Sequence, residues 1–206
     1  MARMASRHSA TVRITHWLIA ASALGLFVSG GAILVAHPRL YWGETGTLGV
    51  PALLDLPIPF VYGHSGWGRH LHFLCAWVLV TTGAVYFAAG VASRHFVDDL
   101  LPAKAAGARP PLERYNAAQR IAYLGVIFVL LPLMAATGLA MSPAIGSAWP
   151  ALVETLGGHQ SARTIHFAGA SLLFFFLAGH VGMLVASGFG PRMRAMVIGR
   201  HERQAR

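Results

Sequence analysis

Four stretches of this chain run without Asp, Glu, Lys or Arg for longer than a soluble helix needs. Ile14–Ala36 lies between Arg13 and Arg39, and His70–Ser93 between Arg69 and Arg94. Ile121–Ser142 follows Arg120, and Thr164–Gly190 lies between Arg163 and Arg192. Uncharged apolar runs of about 18 residues or more predict transmembrane spans. In lipid each must be helical, because its backbone groups have no water to bond. Pro132 inside the third span predicts a kink. Leu48–Tyr62 is apolar too, but it is short and holds Pro51, Asp55, Pro57 and Pro59, which predicts a surface or re-entrant loop. Pro102–Pro111 reads as a second loop. The first span is too long for the apolar region of a signal peptide and carries a histidine near its start, so an uncleaved helix is expected.

Composition agrees with a chain solvated by lipid. Of 206 residues, 55% are hydrophobic and 11% charged, against about 25% charged in soluble domains. Mean hydropathy is +0.56. The expected fold is an all-α integral membrane protein, one four-helix transmembrane unit over residues 1–206.

The net charge of +9 first suggests nucleic acid, but its distribution argues otherwise. Four spans put both termini and the loop between helices two and three on one side. Arg3, Arg7, Arg13, Arg94, Lys104, Arg109, Arg114, Arg120, Arg192, Arg194, Arg200, Arg203 and Arg206 fall there. The other side holds Arg39, Arg69 and Arg163. Thirteen against three is a positive-inside pattern that predicts cytoplasmic termini. Anionic lipid is then the expected contact of the basic side, and no nucleic-acid partner is expected.

The candidate chemistry lies in the histidines. Most of the 11 sit at span ends or in loops. His16, His72, His166 and His180 lie within spans, where ionisable groups are costly and usually functional. His166 and His180 are 14 residues apart, roughly 21 Å along a helix and within roughly 40° of one face. His72 and His166 each follow an arginine (Arg69, Arg163) by three residues at the outer boundary. His16 follows Arg13 in the same way at the inner boundary, at the depth of His180. Depth therefore pairs His72 with His166 outside and His16 with His180 inside. His70 is the competing outer candidate. His72 shares its helix face with Ala76, Gly83, Tyr86 and Gly90, whereas His70 lies with Leu74, Trp77 and Thr81, so His72 is expected to face inward.

Two imidazoles from separate helices suit the two axial positions of a haem iron, whereas zinc usually takes three or four clustered ligands. The expected cofactors are two haem b groups held between helices. Gly30, Gly31, Gly83, Gly90, Gly169 and Gly179 leave room for a flat macrocycle. Arg13, Arg69 and Arg163, each one turn nearer water than a histidine, are candidates for the haem propionates. The single Cys75 excludes an internal disulfide and a Cys-x-x-Cys-His attachment.

These polar anchors resemble those of the bacterial di-haem cytochrome b subunits of nickel–iron hydrogenases, formate dehydrogenases and thiosulfate reductases. The similar segments are RITHWL at 13–18, HPRLYWG at 37–43, GRHLHFLCAW at 68–77, RYNAAQRIAYLGVIFVLLPLM at 114–134 and SARTIHF at 161–167, followed by His180. The resemblance implies that the position of His72 is a haem ligand. It also implies quinone as one redox partner and a periplasmic metalloenzyme subunit, often carrying a molybdenum cofactor, as the other. The chain has no soluble catalytic domain, so the resemblance leaves the enzyme it serves unnamed.

The resulting expectation is an electron conduit across the membrane. Inner candidates for a quinone pocket are Asn116, Gln119, Arg120 and Tyr123, and outer ones are Trp67, Gln160 and Ser161. The loop His37–Trp67 carries Tyr41, Trp42, Phe60 and Tyr62, which suit either a docking surface or a lid over the outer haem. Two other readings compete. One is a self-sufficient haem quinone oxidoreductase acting on a small oxidant such as superoxide, drawn to the outer arginines. The other is a non-haem transporter or anchor using the histidines for protons or metal.

Overall fold

The protein is described by a computed structural model covering residues 10–46, 49–61, 65–93 and 117–198. Most of the basic residues of the termini and of the second connection lie outside the described residues, as do Tyr62, Asn116 and the loop Pro102–Pro111. Four helical stretches are long and apolar enough to cross a membrane: Ala10–Ala36, Gly66–Ala92, Ile121–Ala140 and His159–Ala186.

Helix α1 (Ala10–Ala36) and helix α2 (Ser65–Ala92) form an antiparallel pair. Their contact follows from where the small residues lie. Thr15, Ser22, Ser29 and Ala36 are the buried residues of α1 and recur every seventh position. On α2, Gly68 and Thr82 are buried, and Cys75 lies midway between them. A seven-residue repeat keeps one seam facing its partner when helices supercoil, and small residues let backbones approach without a hydrophobic drive. A side chain at Gly25 would lie 2.5 Å from Cys75 Sγ, and one at Gly68 would lie 3.3 Å from the Ser29 carbonyl.

The third span is not one regular helix. Helix α3 (Ala117–Gly125) runs into a π-helical turn, Val126–Leu130, and then into helix α4 (Leu131–Ala140). Pro132 explains the interruption. It has no N–H for the carbonyl four residues earlier, and its ring crowds that carbonyl. Widening the preceding turn relieves the clash. The kink expected from Pro132 is thus realised as a wide turn on its N-terminal side.

Helices α5 (Pro143–Ala148) and α6 (Pro150–Thr155) connect α4 to helix α7 (His159–Ala186). Both begin at a proline and are too short to leave a periodic signal. Val153 of α6 packs with Ala140 and Ala162 in a small buried cluster. The fourth span ends at Ala186, short of the expected Gly190. Gly188 has φ +96°, a left-handed backbone that ends a helix. Helix α8 (Phe189–Val197) then leaves in a new direction. It is tied to α1 by the Trp17 indole N–H, which donates to the Met196 carbonyl at 3.3 Å.

The loop after α1 forms a two-stranded ribbon, β1 (Arg39–Leu40) with β2 (Leu54–Asp55), antiparallel and pairing Arg39 with Asp55. An Arg39–Asp55 ion pair at 3.1 Å sits on that register. The segment between the strands touches the start of α7. Gly158, with φ +102°, lies so near that an added Cβ would be 2.6 Å from the Gly43 carbonyl carbon. Gly158→Ala therefore combines a backbone open essentially to glycine, worth about 1–3 kcal/mol, with a clash against main chain. We expect it to lower the thermal midpoint of the detergent-solubilised protein clearly. Gly182→Ala, where nothing lies within 4 Å of the added carbon, is the matched control.

Candidate functional site

The four membrane-depth histidines come together in two pairs. His72 of α2 faces His166 of α7, ring centroids 6.2 Å apart. His16 of α1 faces His180 of α7 at 6.4 Å. The first pair lies at the loop end of the bundle and the second at the end carrying both termini. Helix α7 supplies one ring to each pair because 14 residues return it to nearly the same face. His70 is exposed, as are Leu74 and Trp77 on its side of α2.

Each ring has its own surroundings. His72 Nδ1 lies 3.0 Å from Ser29 Oγ, and His166 Nδ1 lies 2.8 Å from Thr137 Oγ1. His180 Nδ1 lies 3.3 Å from the Tyr123 phenol oxygen, and the Phe176 ring stacks on His180 at 6.2 Å. His16 Nδ1 is buried with no hydrogen-bond partner, and its ring meets Trp17 edge-on at 5.3 Å. The third span thus serves α7 twice, once through Tyr123 and once through Thr137.

The three arginines differ. Arg163 donates to the His37 carbonyl, so it helps fix the loop. Arg13 has its Nε buried without a hydrogen-bond partner, one turn from His16. Arg69 is exposed near the start of α2. Among the quinone candidates, Ser161 is fully buried. Its hydroxyl donates to the Gly157 carbonyl at 2.8 Å and accepts from the Gly43 N–H at 2.8 Å. That employment is structural and leaves no access. Tyr123 stands beside His180, and Gln119 donates to Met183 Sδ at 3.5 Å. Trp67 is half exposed, and Gln160 has a buried, unpartnered Oε1.

The loop His37–Gly46 covers the first turn of α7 largely through main-chain groups. The Gly43 carbonyl accepts from the N–H groups of Gln160 at 2.9 Å and Ser161 at 3.3 Å, two of the donors a helix start leaves unpaired. The Thr164 hydroxyl donates to the Tyr41 carbonyl at 2.6 Å. Tyr41 is buried, as the lid alternative for this loop would have it and the docking alternative would not, whereas Trp42 and Phe60 stay more than half exposed. Gly169 also departs from expectation. A side chain there would meet Met134 Sδ at 2.6 Å, so this glycine serves the packing of α7 on α4.

Sequence reasoning missed Ser29, Thr137 and Gly138. A Cβ added at Gly30 or at Gly138 would lie 3.6 Å from Cε1 of His72 or His166, respectively. The signal was a Ser-Gly and a Thr-Gly step in two otherwise apolar spans.

The fold and these rings define a membrane helical bundle with a histidine pair near each end. Residues 7–199 match the prokaryotic cytochrome b561 family, and the chain belongs to it; it is a bacterial membrane haem b protein of electron-transfer type. It is 31% identical over 192 residues, 86% of this chain and 89% of the relative, to an Azospira oryzae protein named as a candidate protein-methionine-sulfoxide reductase subunit, YedZ1. It is 36% identical over 92 residues to an Escherichia coli K12 protein named as a candidate cytochrome, YdhU, covering 43% of this chain and 33% of that one. No solved structure matches.

The residues fit haem. Two imidazoles bound on opposite faces of one metal hold their centroids roughly 6.4 Å apart, given a metal–nitrogen bond of about 2.1 Å and roughly 1.1 Å from nitrogen to centroid. The observed separations are 6.2 Å and 6.4 Å. Among the described residues no cluster of three or more His, Cys, Asp or Glu is arranged to hold a bare metal ion.

Proposed function

We propose that this chain is a di-haem electron-transfer subunit that exchanges electrons with quinone and with a periplasmic oxidoreductase. The observation that carries this reading is the pair of ring separations, 6.2 Å and 6.4 Å, each suited to one six-coordinate iron. In this reading His72 and His166 hold one haem, and His16 and His180 hold the other. Haem b bound there would supply one-electron exchange, each group held by two histidine side chains of this chain.

The chain's own residues then have separate tasks. Helix α7 spaces the two sites by roughly 21 Å along its axis. Arg13, with its unpartnered Nε, stands where a propionate carboxylate on the terminal side would be paired. Arg69 and Arg163 are the corresponding residues on the loop side, with Arg163 shared between that role and the His37 carbonyl. Trp42 and Phe60 offer an apolar surface to the partner. The Azospira oryzae relative's name supports a protein-methionine-sulfoxide reductase as the class of partner, and the resemblance to formate dehydrogenase and thiosulfate reductase cytochromes supports a molybdenum enzyme. Tyr123 and Gln119, beside His180, are the preferred quinone contacts. The whole chain forms one transmembrane unit with both termini in the cytoplasm.

Pyridine haemochromogen titration of the purified chain tests the reading. About two haem b per chain are expected, falling to about one in His180→Ala, with the remaining reduced spectrum intact. Colourless protein from haem-replete cells would overturn the proposal. His70→Ala should leave haem content unchanged while His72→Ala lowers it; the reverse would refute the ligand assignment. A fluorescent protein fused to the C-terminus should fluoresce and an alkaline phosphatase fusion should be inactive, if the basic end is cytoplasmic.

A further inference from the structure

Ser29 and Thr137 are polar residues in the loop-end halves of apolar spans, and each hydroxyl meets one ring nitrogen and two carbonyls of its own helix, the farther carbonyls being those of Leu26 and Met134 at 3.2 Å. The Ser29 hydroxyl lies 2.6 Å from the Gly25 carbonyl and 3.0 Å from His72 Nδ1. The Thr137 hydroxyl lies 2.8 Å from the Leu133 carbonyl and 2.8 Å from His166 Nδ1. A hydroxyl has one proton, and a carbonyl oxygen can only accept. The proton of each hydroxyl is therefore spent on its own helix, four residues back. What remains toward the ring is an oxygen lone pair, so the ring nitrogen must be the donor. Each of these imidazoles carries its proton on Nδ1 and has Nε2 as its free lone pair.

The arrangement occurs twice with the same parts. A hydroxyl residue followed by glycine, Ser29-Gly30 on α1 and Thr137-Gly138 on α4, cradles the histidine of the neighbouring helix. The glycine stands directly beside the ring, where a Cβ would make ordinary van der Waals contact 3.6 Å from Cε1. The terminal-end pair is built differently. His16 Nδ1 has no partner, and His180 faces a phenol at 3.3 Å.

We infer that Ser29 and Thr137 are positioning residues that fix the Nδ1–H tautomer of His72 and His166, aim both Nε2 atoms at one axial metal, and make the loop-end site electronically distinct from the terminal-end site. This rests on the haem reading above for its electronic consequence, but the tautomers themselves do not. A hydroxyl that accepts from the far nitrogen makes an imidazole a stronger donor. Stronger axial donation favours the ferric state, so each of these bonds lowers the potential of the haem held by His72 and His166.

Potentiometric titration of the haem-loaded protein and its variants tests this, alongside nitrogen NMR of protein labelled at histidine and reduced to its diamagnetic state. Thr137→Val and Ser29→Ala should each raise the midpoint of the same one of two haems and leave the other unmoved. Thr137→Ser should restore the original value. The nitrogen spectra should show Nδ1–H at His72 and His166. Unchanged midpoints in both variants or equal shifts of both haems would overturn the inference while leaving the haem reading intact, and Nε2–H at either ring would overturn both, because a nitrogen that carries a proton cannot hold the iron. If Thr137→Val loses haem altogether, Ser29→Ala and Thr137→Ser decide. Protein that binds no haem would instead sink the functional reading, and the tautomers seen in its spectrum would judge this inference alone.

Discussion

A ring nitrogen held at membrane depth must find a partner within the protein, because lipid offers none. Much of this structure follows from meeting that requirement at three of four rings. The histidines set which faces of α1, α2 and α7 turn toward one another. The third span supplies Tyr123 and Thr137 to the two rings of α7. The seam of α1 brings Ser29 against α2 at the level of His72. Where the requirement is left open, at His16 Nδ1, the buried nitrogen is itself a mark of specialised chemistry.

The two ends of the bundle meet the requirement with different materials. One end uses aliphatic hydroxyls whose protons are already committed to backbone carbonyls. The other uses an aromatic phenol on one ring and nothing on the second. In the proposed reading, a conduit between unlike partners would have two unlike stations, the difference arising outside the atoms that would hold the haems. The wide turn before Pro132 belongs to the same design. It lies between Tyr123 and Thr137, so it sets their rotation relative to each other along a helix that must reach α7 at two levels.

The spans and the facing of the histidines were legible in the sequence for physical reasons. Charge is excluded from lipid, so Arg13, Arg69 and Arg163 mark the boundaries from which depth is counted. The helical period then separates His72 from His70. The second layer was not legible. A serine or threonine in an apolar helix ordinarily satisfies itself on the carbonyl one turn back, so Ser29 and Thr137 look self-contained until the neighbouring ring is placed. Helices α5 and α6 carry too few residues for a period, and the ribbon at Arg39 and Asp55 is too short for an alternation. Tyr41 left two readings open because an aromatic residue in a loop suits a docking surface or a lid equally well until its burial is seen. Gly169 misled because a small residue on a histidine face suits a packed neighbour, here Met134, as well as a cofactor.

The loop over α7 is fastened largely by atoms that every amino acid shares. Its carbonyls at His37, Tyr41 and Gly43, and the N–H of Gly43, make the bonds, while Trp42 and Phe60 point away from them. Anchorage and outward identity are therefore written in separate parts of the same residues. The Trp42 side chain can then be exchanged without touching those main-chain bonds. In the proposed reading such a loop would be an adaptable fitting, its exterior suited to a partner enzyme while the main-chain anchorage stays the same.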